Sequence, residues 1–140
     1  MKTIIAILVL IVAVPVAFLL LLSVMPVLDM PPAITALGAQ TPVSIQVHAP
    51  HGLRSVSAVV VQNGVAYKAW ETSYPTRRVF WQRHVADSTL QFVTGAQTIP
   101  QLKEGKATLI VEAVSNDMRG STARLEREVT VVLRPPVLSV

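Results

Sequence analysis

Cysteine is absent from this chain, and that single absence closes several routes. No disulfide can brace the fold, no N-terminal cysteine can carry a lipid, and no thiolate can bind a metal or attack a substrate. Charge is sparse as well: charged residues make up 14% of the sequence, and the net charge of +4 comes from basic residues scattered along it. Without a dense basic run, nucleic acid is not an expected partner. P-loop, GxGxxG, HExxH and GxSxG motifs are all missing, which removes the commonest nucleotide-binding, metallopeptidase and hydrolase signatures. Beyond residue 29 there is also no helical period.

What the chain has instead is one long apolar run. Thr3 to Leu28 contains no charge and no Asn, Gln or His. A helix through most of it, at about 1.5 Å per residue, exceeds the roughly 30 Å hydrocarbon core of a bilayer. Pro15 falls mid-span, where bilayer helices tolerate a lost hydrogen bond. Lys2 lies on the N-terminal side, Asp29 is the first charge beyond the run, and no Lys or Arg follows before Arg54. The positive-inside bias thus keeps the N-terminus cytoplasmic and sends the remainder outside. A cleaved signal peptide is the rival reading, but its apolar region is shorter and ends in small residues. Residues 1–29 are therefore expected to be an uncleaved transmembrane anchor, with the lipid bilayer as first partner.

The span inflates the 51% apolar content and the mean hydropathy of +0.53. What remains is one ordinary domain's worth of chain. Its periodicity is two. Val43, Ile45 and Val47 alternate with Ser44, Gln46 and His48; Val56, Ala58 and Val60 repeat the pattern; Asn63-Gly64 then supplies a strong hairpin signal, leading to a strand over Val65–Trp70. Val79–Gln82 reads as a short edge strand and Thr89–Val93 as another. Lys106–Ser115 is a half-buried strand with Ala107, Leu109, Val111 and Ala113 inward. Over Thr122–Leu133, Leu125, Val129, Val131 and Leu133 point inward, and Arg127 interrupts that face. With a weak first strand over Ala33–Leu37, the series predicts an all-β, immunoglobulin-like sandwich over residues 30–134, an open barrel being the lesser alternative. Residues 135–140 read as a proline joint to a missing C-terminal region.

Few residues suggest chemistry. His48 and His51 resemble a two-histidine metal pair, yet zinc sites need three or four ligands and no Cys, Asp or Glu is near in sequence. His84 with Asp87 could form an acid–base pair, without a nucleophile beside it. Arg77, Arg78 and Arg83 around Phe80 and Trp81 form the best candidate binding patch, since guanidinium and aromatic groups suit anionic or sugar partners.

Pro50–Gly64, Leu102–Gly120 and Val131–Pro136, behind an N-terminal anchor, together resemble the N-terminal region of bacterial lysostaphin-type (LytM-like) zinc peptidases of the cell envelope. The peptidases' His-x-x-x-Asp and His-x-His zinc motifs do not occur here. The resemblance thus implies a non-catalytic anchor and spacer without a cofactor of its own, zinc belonging to a missing C-terminal domain. It further implies a single-pass protein of the bacterial inner membrane, its sandwich in the periplasm near peptidoglycan or envelope proteins. A second reading is a membrane-tethered binding or assembly-scaffold module with no enzymatic partner domain.

Overall fold

A computed structural model describes residues 1–75, 86–117 and 119–133. It opens with one helix, α1 (Lys2–Leu21), which contains Pro15 and buries none of its residues. By length and composition α1 is able to cross a membrane, as a signal anchor or as a signal peptide. The helix stops short of the full apolar run. Leu22 caps it, and Val27–Asp29, assigned to the anchor on sequence grounds, forms a strand instead.

Among the described residues, the strands that follow α1 form two sheets, a β-sandwich. The strands are β1 (Val27–Asp29), β2 (Ala36–Leu37), β3 (Thr41–His48), β4 (Leu53–Gln62), β5 (Val65–Ser73), β6 (Ser88–Thr94), β7 (Gly105–Ser115) and β8 (Thr122–Val131). One sheet has the order β1-β3-β6 and the other β2-β8-β7-β4-β5. All pairings are antiparallel except that of β2 with β8, which is parallel. Of the expected Ala33–Leu37 strand only Ala36 and Leu37 pair, and the expected Val79–Gln82 strand lies outside the described residues.

The period-two pattern is what closes the sandwich. Val43, Ile45 and Val47 of β3 and Phe92 of β6 face Val56, Ala58 and Val60 of β4, Leu109, Val111 and Ala113 of β7, and Val129 and Val131 of β8 in one buried cluster. At about 25 cal/mol per Å² of apolar surface withdrawn from water, this cluster is the main source of stability in a chain that cannot form disulfides. Trp70 of β5 stacks on Phe92 with ring centroids 5.0 Å apart, joining the sheets at one side. The β4–β5 hairpin turns at Asn63 (φ 52°) and Gly64 (φ 77°), both left-handed as a type I′ turn requires.

Two details of β8 depart from expectation. Leu133 lies beyond the strand and is exposed, because the pairing with β7 ends at Val131. Arg127 does lie on the inward face, and its guanidinium resolves the conflict by reaching past the core: Nη2 donates to the Met30 carbonyl at 3.0 Å. A half-buried charge is thereby given a partner. The same bond fastens β8 to the end of β1.

Candidate functional site

The site forms where β1, β3 and β6 run side by side. In the antiparallel register Val27 lies opposite His48, and Val47 opposite Ser88. The last residue of β3 therefore meets the residues entering β6. There His48 Nδ1 contacts the Asp87 carboxylate, the two being 39 residues apart in sequence. The contact sits in a groove of about 330 Å³ lined by Val27, Asp29, Gln46, Val47, His48, Asp87, Ser88 and Thr89. Both members stay accessible, with side chains 51% and 74% exposed, so the pair is open to a ligand.

Neutral imidazole carries one N–H. With Nδ1 donating to Asp87, Nε2 becomes an acceptor, and the carboxylate fixes the ring's orientation. Gln46 and Thr89, paired on the face that His48 shares, add side chains that donate and accept, while Asp29 and Asp87 add acceptors and negative charge. The groove therefore sets hydrogen-bonding and acidic groups beside apolar surface.

A second polar cluster lies where α1 leaves the sandwich. His51 Nε2 contacts the Leu22 carbonyl at 2.9 Å. Asp117, buried in the β7–β8 turn, accepts from Ser115 Oγ at 2.8 Å and from the Gly120 amide at 2.7 Å, and Arg54 Nη2 donates to its backbone carbonyl at 3.1 Å. Burial pushes the Asp117 carboxyl up. The hydroxyls of Ser23 and Ser115, the Gly120 amide and the nearby His51 outweigh that, and the pKa falls below the ordinary aspartate value.

These contacts redistribute the candidates read from sequence. His48 and His51 do not come together on one ion: the first engages Asp87 and the second the end of α1. Asp87 does have a histidine partner, but it is His48. The proposed partner His84 lies outside the described residues, as do Arg77, Arg78, Phe80, Trp81 and Arg83 of the expected binding patch. The His48–Asp87 pair was missed because only strand pairing brings these residues together. The available signal was that one residue ends a clean alternating run and the other precedes a second.

No family model matches the chain, and no curated protein matches it. Solved structures with a similar fold include T. fusca AA10A, at 16% identity and a TM-score of 0.49, over 73% of this chain and 53% of that one. Another is an LPMO, a lytic polysaccharide monooxygenase, from Kitasatospora papulosa, at 13% identity and a TM-score of 0.49, over 73% and 52%. The chain spans about half the length of these structures. A likeness of this degree concerns the fold alone.

The LytM-like family reading is withdrawn. The neighbours are monooxygenases, and no match supports a LytM-like peptidase region. The peptidase tether-and-spacer role goes with it, as does peptidoglycan as the target, and the scaffold alternative is no better supported. The expectations of a non-catalytic chain without a cofactor rested on that reading and are withdrawn with it; the neighbours themselves are enzymes that use copper. The described residues do not fit such a metal. Among the described residues no three His, Cys, Asp or Glu side chains are grouped to hold an ion, and His48 and His51 are engaged separately. No chemical step is therefore routed through copper.

Proposed function

We propose that this chain is a carbohydrate-recognising β-sandwich whose binding site is the groove at the β1–β3–β6 end. The observation that carries this is the His48–Asp87 pair, accessible and set among Gln46, Asp29, Ser88 and Thr89 in one concavity. Vicinal hydroxyls donate and accept at once, and such a mixture of carboxylate, amide, hydroxyl and oriented imidazole complements them. Val27, exposed on the groove wall, gives the apolar face of a sugar ring something to cover. Two carboxylates disfavour anionic ligands, so neutral saccharides are the expected class.

The setting proposed for this groove is extracytoplasmic. The helix α1 spans the bacterial inner membrane once, Lys2 stays on the cytoplasmic side, and the sandwich is displayed in the periplasm. The uniformly exposed apolar helix supports this, as does the lack of any Lys or Arg between Lys2 and Arg54. A reporter active only outside the cytoplasm, fused after Leu133, reads out the orientation.

We also read the sandwich as immunoglobulin-like. Its β8-β7-β4-β5 order follows the G-F-C-C′ order of variable-type domains, and β1-β3-β6 follows A-B-E.

Titration calorimetry of the full chain in detergent micelles against neutral oligosaccharides tests the site. Millimolar or tighter binding of at least one saccharide is expected, a weak affinity of about −4 kcal/mol. It should fall at least tenfold in His48→Ala and in Asp87→Ala. Binding that both variants leave unchanged would remove the groove from the account.

A further inference from the structure

We propose that the saccharide recognised in the groove is the neutral sugar headgroup of a lipid in the same membrane that α1 enters. This rests on the saccharide reading above and adds where the ligand resides.

Three observations place the groove at the membrane surface. First, Val27, on its wall, lies five residues beyond Leu22, the cap of α1. Second, the His51 ring contacts the Leu22 carbonyl, so the loop after β3 is held against the end of the helix. His48 is three residues from His51, hence at most about 10 Å away along the backbone. The His48–Asp87 pair thus lies close to the point where the chain leaves the bilayer. Third, the segment between helix and groove is apolar and exposed: Val24, Met25 and Val27 are 44%, 58% and 58% exposed. Exposed apolar residues continuous with a membrane helix suit the headgroup boundary and are poorly suited to open water.

The segment is also built into the sandwich. Pro26 and Met30 are buried, β1 pairs with β3, and Arg127 holds the Met30 carbonyl. Beside them Ser23 lies against the buried Asp117 cluster. Together with the His51 contact, these interactions seat the sandwich on the helix, so the groove keeps its height above the bilayer. Asp29 and Asp87 in the groove select among headgroups: a phosphate would be repelled, a neutral sugar would not.

The test uses the full chain in nanodiscs and the soluble oligosaccharide that binds it best. In discs of phosphatidylcholine alone this oligosaccharide should bind as it does in micelles. In discs with 10 mol% of a diacylglycerol bearing the same sugar, its apparent affinity should drop at least twofold. A headgroup confined to the disc competes at an effective concentration on the order of millimolar or above. In discs with 10 mol% phosphatidylglycerol the affinity should stay as in phosphatidylcholine. Equal affinity with and without the glycolipid overturns the membrane source while leaving the saccharide site standing. Competition by phosphatidylglycerol equal to that by the glycolipid overturns sugar selectivity and assigns the groove to anionic headgroups. Absence of soluble binding even in plain discs overturns the saccharide reading itself, and this inference with it.

Discussion

Val111 and Glu112 are adjacent in β7 and occupy opposite environments. Val111 is fully buried between the sheets, while Glu112 faces outward with Arg124 Nη1 at 3.4 Å from its carboxylate. Val111→Asp buries an unpaired carboxylate and should cost several kcal/mol, against a domain stability of roughly 5–15. Glu112→Lys forfeits only an exposed ion pair and should cost within about 0.5 kcal/mol. Thermal melts of both variants check this, and the reverse order would mean the strand is turned over. Asp117 supports a prediction of another kind. Its folded pKa is lowered, so the unfolded chain takes up the proton first as pH falls. The stabilisation is complete above the ordinary aspartate pKa of about 4 and is lost below it, as pH falls through the lower folded value. Asp117→Asn should therefore differ from the parent in melting temperature by a constant amount at neutral pH, and the difference should shrink below about pH 4. A gap that widens in acid would contradict the sign of the shift.

Among the elements, the β4–β5 hairpin and the end of β6 both rely on glycine, for different reasons. At Gly64 the φ of 77° is the whole requirement, since an added Cβ would meet nothing within 4 Å. Gly64→Ala should cost about 1–2 kcal/mol, the price of a left-handed residue. At Gly95, φ is 150° and a Cβ would run into the backbone of Gly38 and Ala39, which cannot step aside. Gly95→Ala should therefore lower the melting temperature further than Gly64→Ala in the same calorimetric scan. At Gly95 the sequence marks only the end of a strand and not the close approach of Gly38 and Ala39. Asn-Gly between alternating runs, by contrast, is a local signal that names the turn at Gly64. The long strands were legible for the same reason: β3, β4 and β7 carry their buried face as every second residue. What was illegible depended on distant partners. β1 is three residues in the tail of an apolar run, and its strand character comes from pairing with β3. Arg127 looked like a break in a core face until the Met30 carbonyl appeared beside it. His48 and Asp87 become a site only through the β3–β6 register.

For the molecule as a whole, the question is where the membrane part ends and the folded part begins. The helix ends at Leu21, and the sandwich takes in the chain from Pro26 onward. A soluble fragment starting at residue 31 would lack β1, the buried Met30 side chain and the carbonyl that receives Arg127. Burial of one methionine side chain is worth about 1.5–3 kcal/mol. Arg127 left half-buried without its acceptor adds about 1–3 kcal/mol. A loss of that combined size is a large share of a domain's stability, and at roughly 4–8 °C per kcal/mol it lowers the melting temperature by at least about 10 °C. A fragment of residues 24–133 keeps all three features and should melt cooperatively as an all-β protein. The comparison by circular dichroism of fragments 24–133 and 31–133 decides the boundary. If both unfold at the same temperature, β1 is an appendage and the groove has no fixed wall on that side. If the shorter fragment melts lower or fails to fold, the residues leaving the membrane are part of the sandwich. The height of the His48–Asp87 groove above the bilayer is then set by the fold itself.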